Sequence, residues 1–236
     1  MPYLILILVL ILLVFGPQWW AQYTFRRYAK PLQRIPGNGA ELARHLLDRF
    51  NMQTVGVEKT EVGNDHYDPQ SRTVRLSPHN HDQNSLTAVA VAAHEVGHAI
   101  QHQRGEALLS VRTRLVHLAS AAQKFGAAAL VVMPIAAMLT RAPSVGLLLL
   151  CAGVGSMFLA TLVHLVTLPV ELDASFNKAL PILREGYVRQ EDEPVVRRIL
   201  RAAAFTYVAG SLASLLNLWR WIAILRRLKR GCVQFN

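Results

Sequence analysis

Two cysteines in 236 residues, Cys151 and Cys232, leave little room for sulfur chemistry. One stands in an apolar run and the other in a basic tail. They form neither a thiolate metal pair nor a disulfide framework, so the polar part of the chain is expected in a reducing compartment. Charge is scarce too: 17% of residues are charged, against 52% hydrophobic, which points away from a simple soluble globule. Acids are the scarcer sign, 15 against 25 Lys and Arg, for a net charge of +10. That excess does not indicate nucleic acid. The basic residues cluster beside apolar runs, the pattern of cytoplasmic flanks drawn to anionic lipid headgroups. No internal repeat or low-complexity segment is present. The length suits one ordinary domain, or a small domain with membrane spans.

The apolar runs organise the rest. Leu4 to Phe15 is unbroken, and Trp19, Trp20 and Tyr23 follow as an interfacial belt. The absence of an early positive charge and of a small-residue cleavage site reads as a retained anchor rather than a signal peptide. Arg26, Arg27, Lys30 and Arg34 come next and place the following segment in the cytoplasm. Leu118 to Thr140 and Ser144 to Val170, linked by Arg141-Ala142-Pro143, read as a transmembrane hairpin whose ends share one side. The second arm, about 27 residues or ~40 Å long, exceeds a ~30 Å hydrocarbon core and can project into the cytoplasm. Ala202 to Leu225 carries Asn217 and Arg220 and reads as a buried or interfacial helix. The expected fold is thus a mainly α membrane protein with a small α+β cytoplasmic catalytic domain of zincin type. Its parts are an anchor over 1–20, a catalytic part over 21–117, the hairpin over 118–170, and a cytoplasmic or interfacial helical part over 171–236.

Within the polar block, Leu42, Leu46, Leu47 and Phe50 lie at helical spacing after the turn Gly37-Asn38-Gly39. Asp65 to Pro69 reads as a turn, and Thr73 to Ser77 as a short strand ended by Pro78. That strand is a candidate edge for pairing with an extended peptide. Asn84 or Ser85 is positioned to cap the next helix and Gly105 to end it.

That helix carries His94-Glu95-Val96-Gly97-His98. Residues four apart lie one above the other on a helix, so both imidazoles point at one spot and can share a metal ion. Glu95 is turned by about 100°, too far to bind the same ion but well placed to touch a water on it. Two neutral imidazoles and a nearby carboxylate suit one Zn²⁺ per chain, which makes water acidic enough for a glutamate to take its proton. Choosing zinc over other divalent ions follows from ligand type. Metzincins need glycine at 101 and histidine at 104; Gln101 and Arg104 exclude that class.

Catalytic zinc needs a third protein ligand. Glu171, in Leu168-Pro169-Val170-Glu171-Leu172-Asp173-Ala174-Ser175, is the first candidate, an acid at the mouth of an apolar helix on the side of His94 and His98. Asp173 is the rival, about 200° away on an α-helix, while Ser175 shares the face of Glu171. His79, His81, His102 and His164 are weaker rivals. Gln101 lies on the histidine face and is a candidate supporting residue. His66, Tyr67, Arg201 and Tyr207 are candidate donors to a transition-state oxyanion.

Leu76-Ser77-Pro78, Asp65-His66-Tyr67-Asp68-Pro69, the segment Val91 to Gln101 and the segment Leu168 to Ser175 resemble the YugP-like family of bacterial membrane zinc metallopeptidases. The resemblance runs from the N-terminal anchor to Leu225. A more distant likeness is to the HtpX-type and CAAX-prenyl proteases, in which a glutamate beyond a membrane hairpin is the third ligand and an aspartate follows four residues later. Here Ser175 stands at that place and Asp173 lies two residues nearer.

Together these readings imply a zinc metalloendopeptidase at the cytoplasmic face of the bacterial inner membrane. Its multi-pass chain would hold the ion with His94, His98 and Glu171, use Glu95 as base, and cleave protein or peptide substrates, membrane proteins among them. Two rivals stay open. A site-2-type intramembrane protease would use Asp173 as ligand, against the polar run Asn80 to Asn84 and the run Gln101 to Arg104 around the motif helix. A non-catalytic scaffold with a vestigial motif would tolerate loss of Glu95; a transporter should carry ionisable residues inside its spans, for which His164 is thin support.

Overall fold

The computed structural model describes residues 2–140, 155, 158–159, 162–163 and 165–205. The order is helix α1 (Pro2–Arg27), α2 (Gly39–Arg49), strands β1 (Gly56–Lys59), β2 (His66–Asp68) and β3 (Thr73–Leu76), then α3 (Pro78–Asp82), α4 (Leu86–Gln103) and α5 (Ala107–Thr140). A helix over 165–184, α6, changes to π-helical hydrogen bonding across Asp173–Ala179 and returns to α over Leu180–Arg184. A 3-10 turn at Gln190–Asp192 leads into α7, described from 193 to 205.

α4 is the axis of the core. From Leu86 to Gln101 every residue except Val91 is buried, so neighbours cover it on all sides. Its alanines, at 88, 90, 92, 93 and 99, keep it thin and let those neighbours come close. Ala43, Leu46 and Leu47 of α2 pack on it, as do Val74 and Leu76 of β3, Leu180 and Leu183 of α6, and Val196, Ile199 and Leu200 of α7. Ser85 caps α4, its Oγ accepting from Ala88 N at 3.1 Å, and Gly105 (φ +64°) turns the chain away beyond its C-terminus. α2 opens with a reciprocal cap: Asn38 Oδ1 accepts from Glu41 N, and Glu41 Oε2 accepts from Asn38 N, each at 2.9 Å.

The sheet has the order β1-β3-β2. β1 runs parallel to β3 with Gly56 opposite Thr73, and β2 runs antiparallel to it with Tyr67 opposite Val74. Two expectations change here. The segment Asp65 to Pro69 contains β2, whose single buried residue is Tyr67 between half-buried polar neighbours, so its alternation is only one residue deep. β3 is the central strand, flanked on both sides, and has no free edge for a substrate peptide.

The membrane architecture is the larger correction. Among the described residues no helix is long and apolar enough to cross a membrane, so the expected spanning anchor and hairpin find no support there; the described residues are mostly helical with a small sheet, and most of the hairpin's second arm, Ser144 to Val170, lies outside them. Leu4 to Phe15 covers about 12 residues, ~18 Å of helix, where a ~30 Å core needs ~20 residues. α5 opens with Arg112, Arg114 and His117 in its first three turns, and its Lys124 is exposed. The link Arg141-Ala142-Pro143, His164, Tyr207 and most of Ala202 to Leu225 lie outside the described residues.

Two polar ties hold the loops around α4. Asp65 accepts from Ser77 N at 2.6 Å with one oxygen, and from Ser77 Oγ and Asn80 Nδ2, each at 3.0 Å, with the other. Arg34 holds the buried Asp192 through two nitrogens, at 2.6 and 3.2 Å. At the start of α2, Gly39 packs directly on the backbone of α3: a Cβ there would lie 2.0 Å from Asn80 O. Gly39→Ala therefore forces α2 and α3 apart, and should lower unfolding stability by about 1–3 kcal/mol, read as a shift in the urea midpoint at unchanged m.

Candidate metal centre

The site forms where α6 crosses α4. His94 and His98 are one turn apart on α4, with ring centroids 4.7 Å apart. Glu171, on α6 just before the π-helical segment, sends Oε2 to within 3.1 Å of His94 Nε2 and 3.3 Å of His98 Nε2. The ligand atoms of these three residues all lie within 4.8 Å of one another, and all three side chains are buried. α6 reaches this depth because Gly97 faces it: a Cβ on Gly97 would stand 2.9 Å from Ala174 O.

The hydrogen bonds around the imidazoles favour a cation at the centre. Gln101 Nε2 donates to Val170 O at 3.0 Å and to Asp173 Oδ2 at 2.7 Å, which leaves its Oε1 to face His98 Nδ1 at 2.8 Å. An amide oxygen only accepts, so His98 Nδ1 carries a proton, and Nε2 meets the Glu171 carboxylate either as a protonated donor or as a lone pair beside a cation. Two acceptors facing each other at this distance repel unless a positive charge stands near both. Ligand atoms ~2.1 Å from a tetrahedral centre are ~3.4 Å apart, close to the separations found here. His94 Nδ1 meets Ser175 Oγ at 3.0 Å, so each ring has a partner that fixes its orientation. The residues present thus fit a zinc-type ion.

The same burial moves the two glutamates in opposite directions. Burial alone would raise Glu171, but the charges of His98 and His94 and their hydrogen bonds outweigh it and hold the carboxyl well below the usual range. Glu95 has no such partners. Burial pushes it up to about 7, with Glu171 and Asp65 adding to the rise and His94 and Arg112 opposing it. Glu95 and His94 line a cleft of about 530 Å³ that also takes in Gln22, Phe25 and Arg26 of α1 and Ile199 and Leu200 of α7.

The remaining candidates fall elsewhere. Asp173 is committed to Gln101 and Lys178, on a π-helical stretch where residues five apart share a face. Tyr67 OH bonds to His102 Nδ1 at 2.8 Å, one turn beyond His98, and His66 Nδ1 bonds to Asn64 O at 2.7 Å. His79 pairs with Gln83 and His81 with Asp82. Arg201 is exposed on α7. The sequence reading did not single out Arg112, whose Nη2 lies 3.1 Å from Glu171 Oε1, or the buried Lys178, which also pairs with Glu106 at 2.9 Å. Arg112 has no local signal, since it meets Glu171 only once α5 and α6 fold back on α4; Lys178 meets Asp173 within α6 but Glu106 only through that fold. Because Gly97 sets the depth of α6, Gly97→Ala should cost about 1–3 kcal/mol in urea unfolding; Ala99→Gly on the same helix should cost no more than its helix propensity, about 1 kcal/mol.

Comparisons with known proteins identify the family. A family model described as "Putative neutral zinc metallopeptidase" matches residues 3–226. The chain is similar to "Putative membrane protease YugP" of Bacillus subtilis (strain 168), with 36% identity over 224 residues, 93% of this chain and 96% of that one. No solved structure matches. A zinc-peptidase match over nearly the whole chain, and a buried His-His-Glu cluster that could hold a metal, lead to one conclusion: the chain belongs to the neutral zinc metallopeptidase family.

Proposed function

We propose that this chain is a zinc-dependent endopeptidase holding one ion with His94, His98 and Glu171. The observation that carries the reading is the meeting of two imidazole Nε2 atoms and one carboxylate oxygen at 3.1 and 3.3 Å, beside a cleft that His94 and Glu95 line. When bound, the ion supplies Lewis acidity toward the scissile carbonyl and lowers the pKa of water. Glu95 takes a proton from the attacking water and passes it to the leaving amide nitrogen. Ser175 and Gln101 hold the two imidazoles in orientation from behind. The ligand role goes to Glu171 rather than Asp173, whose carboxylate is engaged by Gln101 and Lys178.

The substrate is a peptide or protein. Phe25, Val62, Val91, Ile199 and Leu200 give the cleft an apolar lining suited to side chains. Among the described residues Asp65 is its one acid besides Glu95, and Ser77 and Asn80 already occupy both its oxygens. No free carboxylate is therefore ready to hold a substrate's terminal ammonium, which favours cleavage within a chain over removal of N-terminal residues. The relative's name, membrane protease, and the exposed Trp19, Trp20 and Tyr23 beside Arg26, Arg27 and Lys30 support association with an anionic membrane surface.

The decisive measurement pairs metal analysis with cleavage of an internally quenched peptide blocked at both ends. Glu95→Gln should keep its zinc and lose turnover by about 10²- to 10⁴-fold. Glu171→Ala should lose zinc and Asp173→Ala should retain it; full cleavage by Glu95→Gln would reject the mechanism. In flotation with phosphatidylserine vesicles, replacing Arg26, Arg27 and Lys30 together by Gln should release the chain by up to about 3 kcal/mol, near 1 kcal/mol per charge. Equal flotation of parent and variant would remove the membrane part of the reading.

A further inference from the structure

We infer that Arg112 is a positioning residue for the metal centre: by engaging Glu171 Oε1 it turns the carboxylate so that one oxygen, Oε2, meets the two imidazoles. The inference rests on the metal-hydrolase reading above and adds a device that keeps a coordination position free for the reactants.

The Glu171 side chain is 1% exposed, and its two oxygens have different surroundings. Oε2 lies against His94 Nε2 and His98 Nε2. Oε1 is buried and makes no hydrogen bond; its charged neighbour is Arg112 Nη2, at ion-pair distance but not aligned as a donor. A buried carboxylate oxygen without compensation is costly. Without the guanidinium, the cheapest remedy is rotation of the carboxylate to give both oxygens to the cation. Two-oxygen binding adds a ligand atom where a catalytic zinc site keeps an open place.

The fold puts Arg112 in place. α4 ends at Gln103, Gly105 in the left-handed region turns the chain, and Arg112 falls on the second turn of α5. Glu106, the residue just before α5, is held by Lys178 of α6 at 2.9 Å, so the start of α5 and the helix bearing Glu171 are tied together. Among the described residues Arg112 makes no other ion pair. Its side chain is 24% exposed, so it sits at the boundary of the buried cluster rather than inside it.

The test uses the full chain loaded with Co²⁺ in place of zinc, whose visible bands weaken as four-coordination gives way to five. Arg112→Met is expected to bind Co²⁺ with weakened bands, and with zinc to show kcat lower by about 10- to 100-fold at little-changed KM. Arg112→Lys keeps the charge without the planar fork and should fall between Met and parent. Spectra and kcat of Arg112→Met equal to the parent's would overturn the inference. Should Arg112→Met fail to fold, Arg112→Lys decides: a spectrum identical to the parent's overturns positioning, and a weakened one supports it. A parent chain that takes up neither metal overturns this inference and the metal reading together, whereas an unchanged variant spectrum overturns this inference alone.

Discussion

The contact between α4 and α6 is the constraint on which the site depends. The two backbones approach so closely at Gly97 and Ala174 that one methyl group would put them in collision. Only at that separation can a glutamate side chain from α6 reach past the surface of α4 to both imidazoles. The small residues along α4 serve the same end, because a helix covered on every side must be thin if its neighbours are to reach its functional atoms. Replacing them with larger apolar residues would bury more surface and move Glu171 away.

Burial then sorts the charged groups. Glu171 and Glu95 occupy the same low-dielectric region and lie on opposite sides of their ordinary range, because two imidazoles meet the first at hydrogen-bond distance, while for the second burial outweighs the opposing charge of His94. Behind the imidazoles, a chain of contacts runs from His98 through Gln101 and Asp173 to Lys178 and Glu106. It balances two acids with one buried ammonium and locks the Gln101 amide in a single orientation. Ser175 does the same for His94 with a neutral hydroxyl. Both partners of the imidazoles are uncharged, so the negative charge nearest the rings is that of Glu171.

Local sequence was informative where the physics is local. The pairing of His94 with His98, a cap at Asn84 or Ser85, the turn at Gly105 and a helix following Gly37-Asn38-Gly39 were legible from helical spacing and capping chemistry within a few residues; the structure chose Ser85 and took Gly39 into α2. Ser175 was read on the face of Glu171, and both meet α4, but Asp173 also reaches it, through the wider π turn that sequence does not announce. β2 was hidden because one buried tyrosine is too little alternation to read as a strand. The membrane architecture was inferred from apolar runs and basic flanks alone; among the described residues no helix meets the length and apolarity of a span.

The sequence by itself determined a pair of imidazoles one helical turn apart with a carboxylate beside them, since 3.6 residues per turn leaves those side chains no other arrangement. It also determined that a further acid stood available at Glu171. Only the tertiary structure decided that this acid and not Asp173 enters the cluster, which way its carboxylate faces, and that Arg112 and Lys178 stand behind it. Those outcomes depend on contacts between helices distant along the chain. Their geometry is set by the thickness of α4 and the extra residue per turn in α6, which no spacing rule within one segment contains.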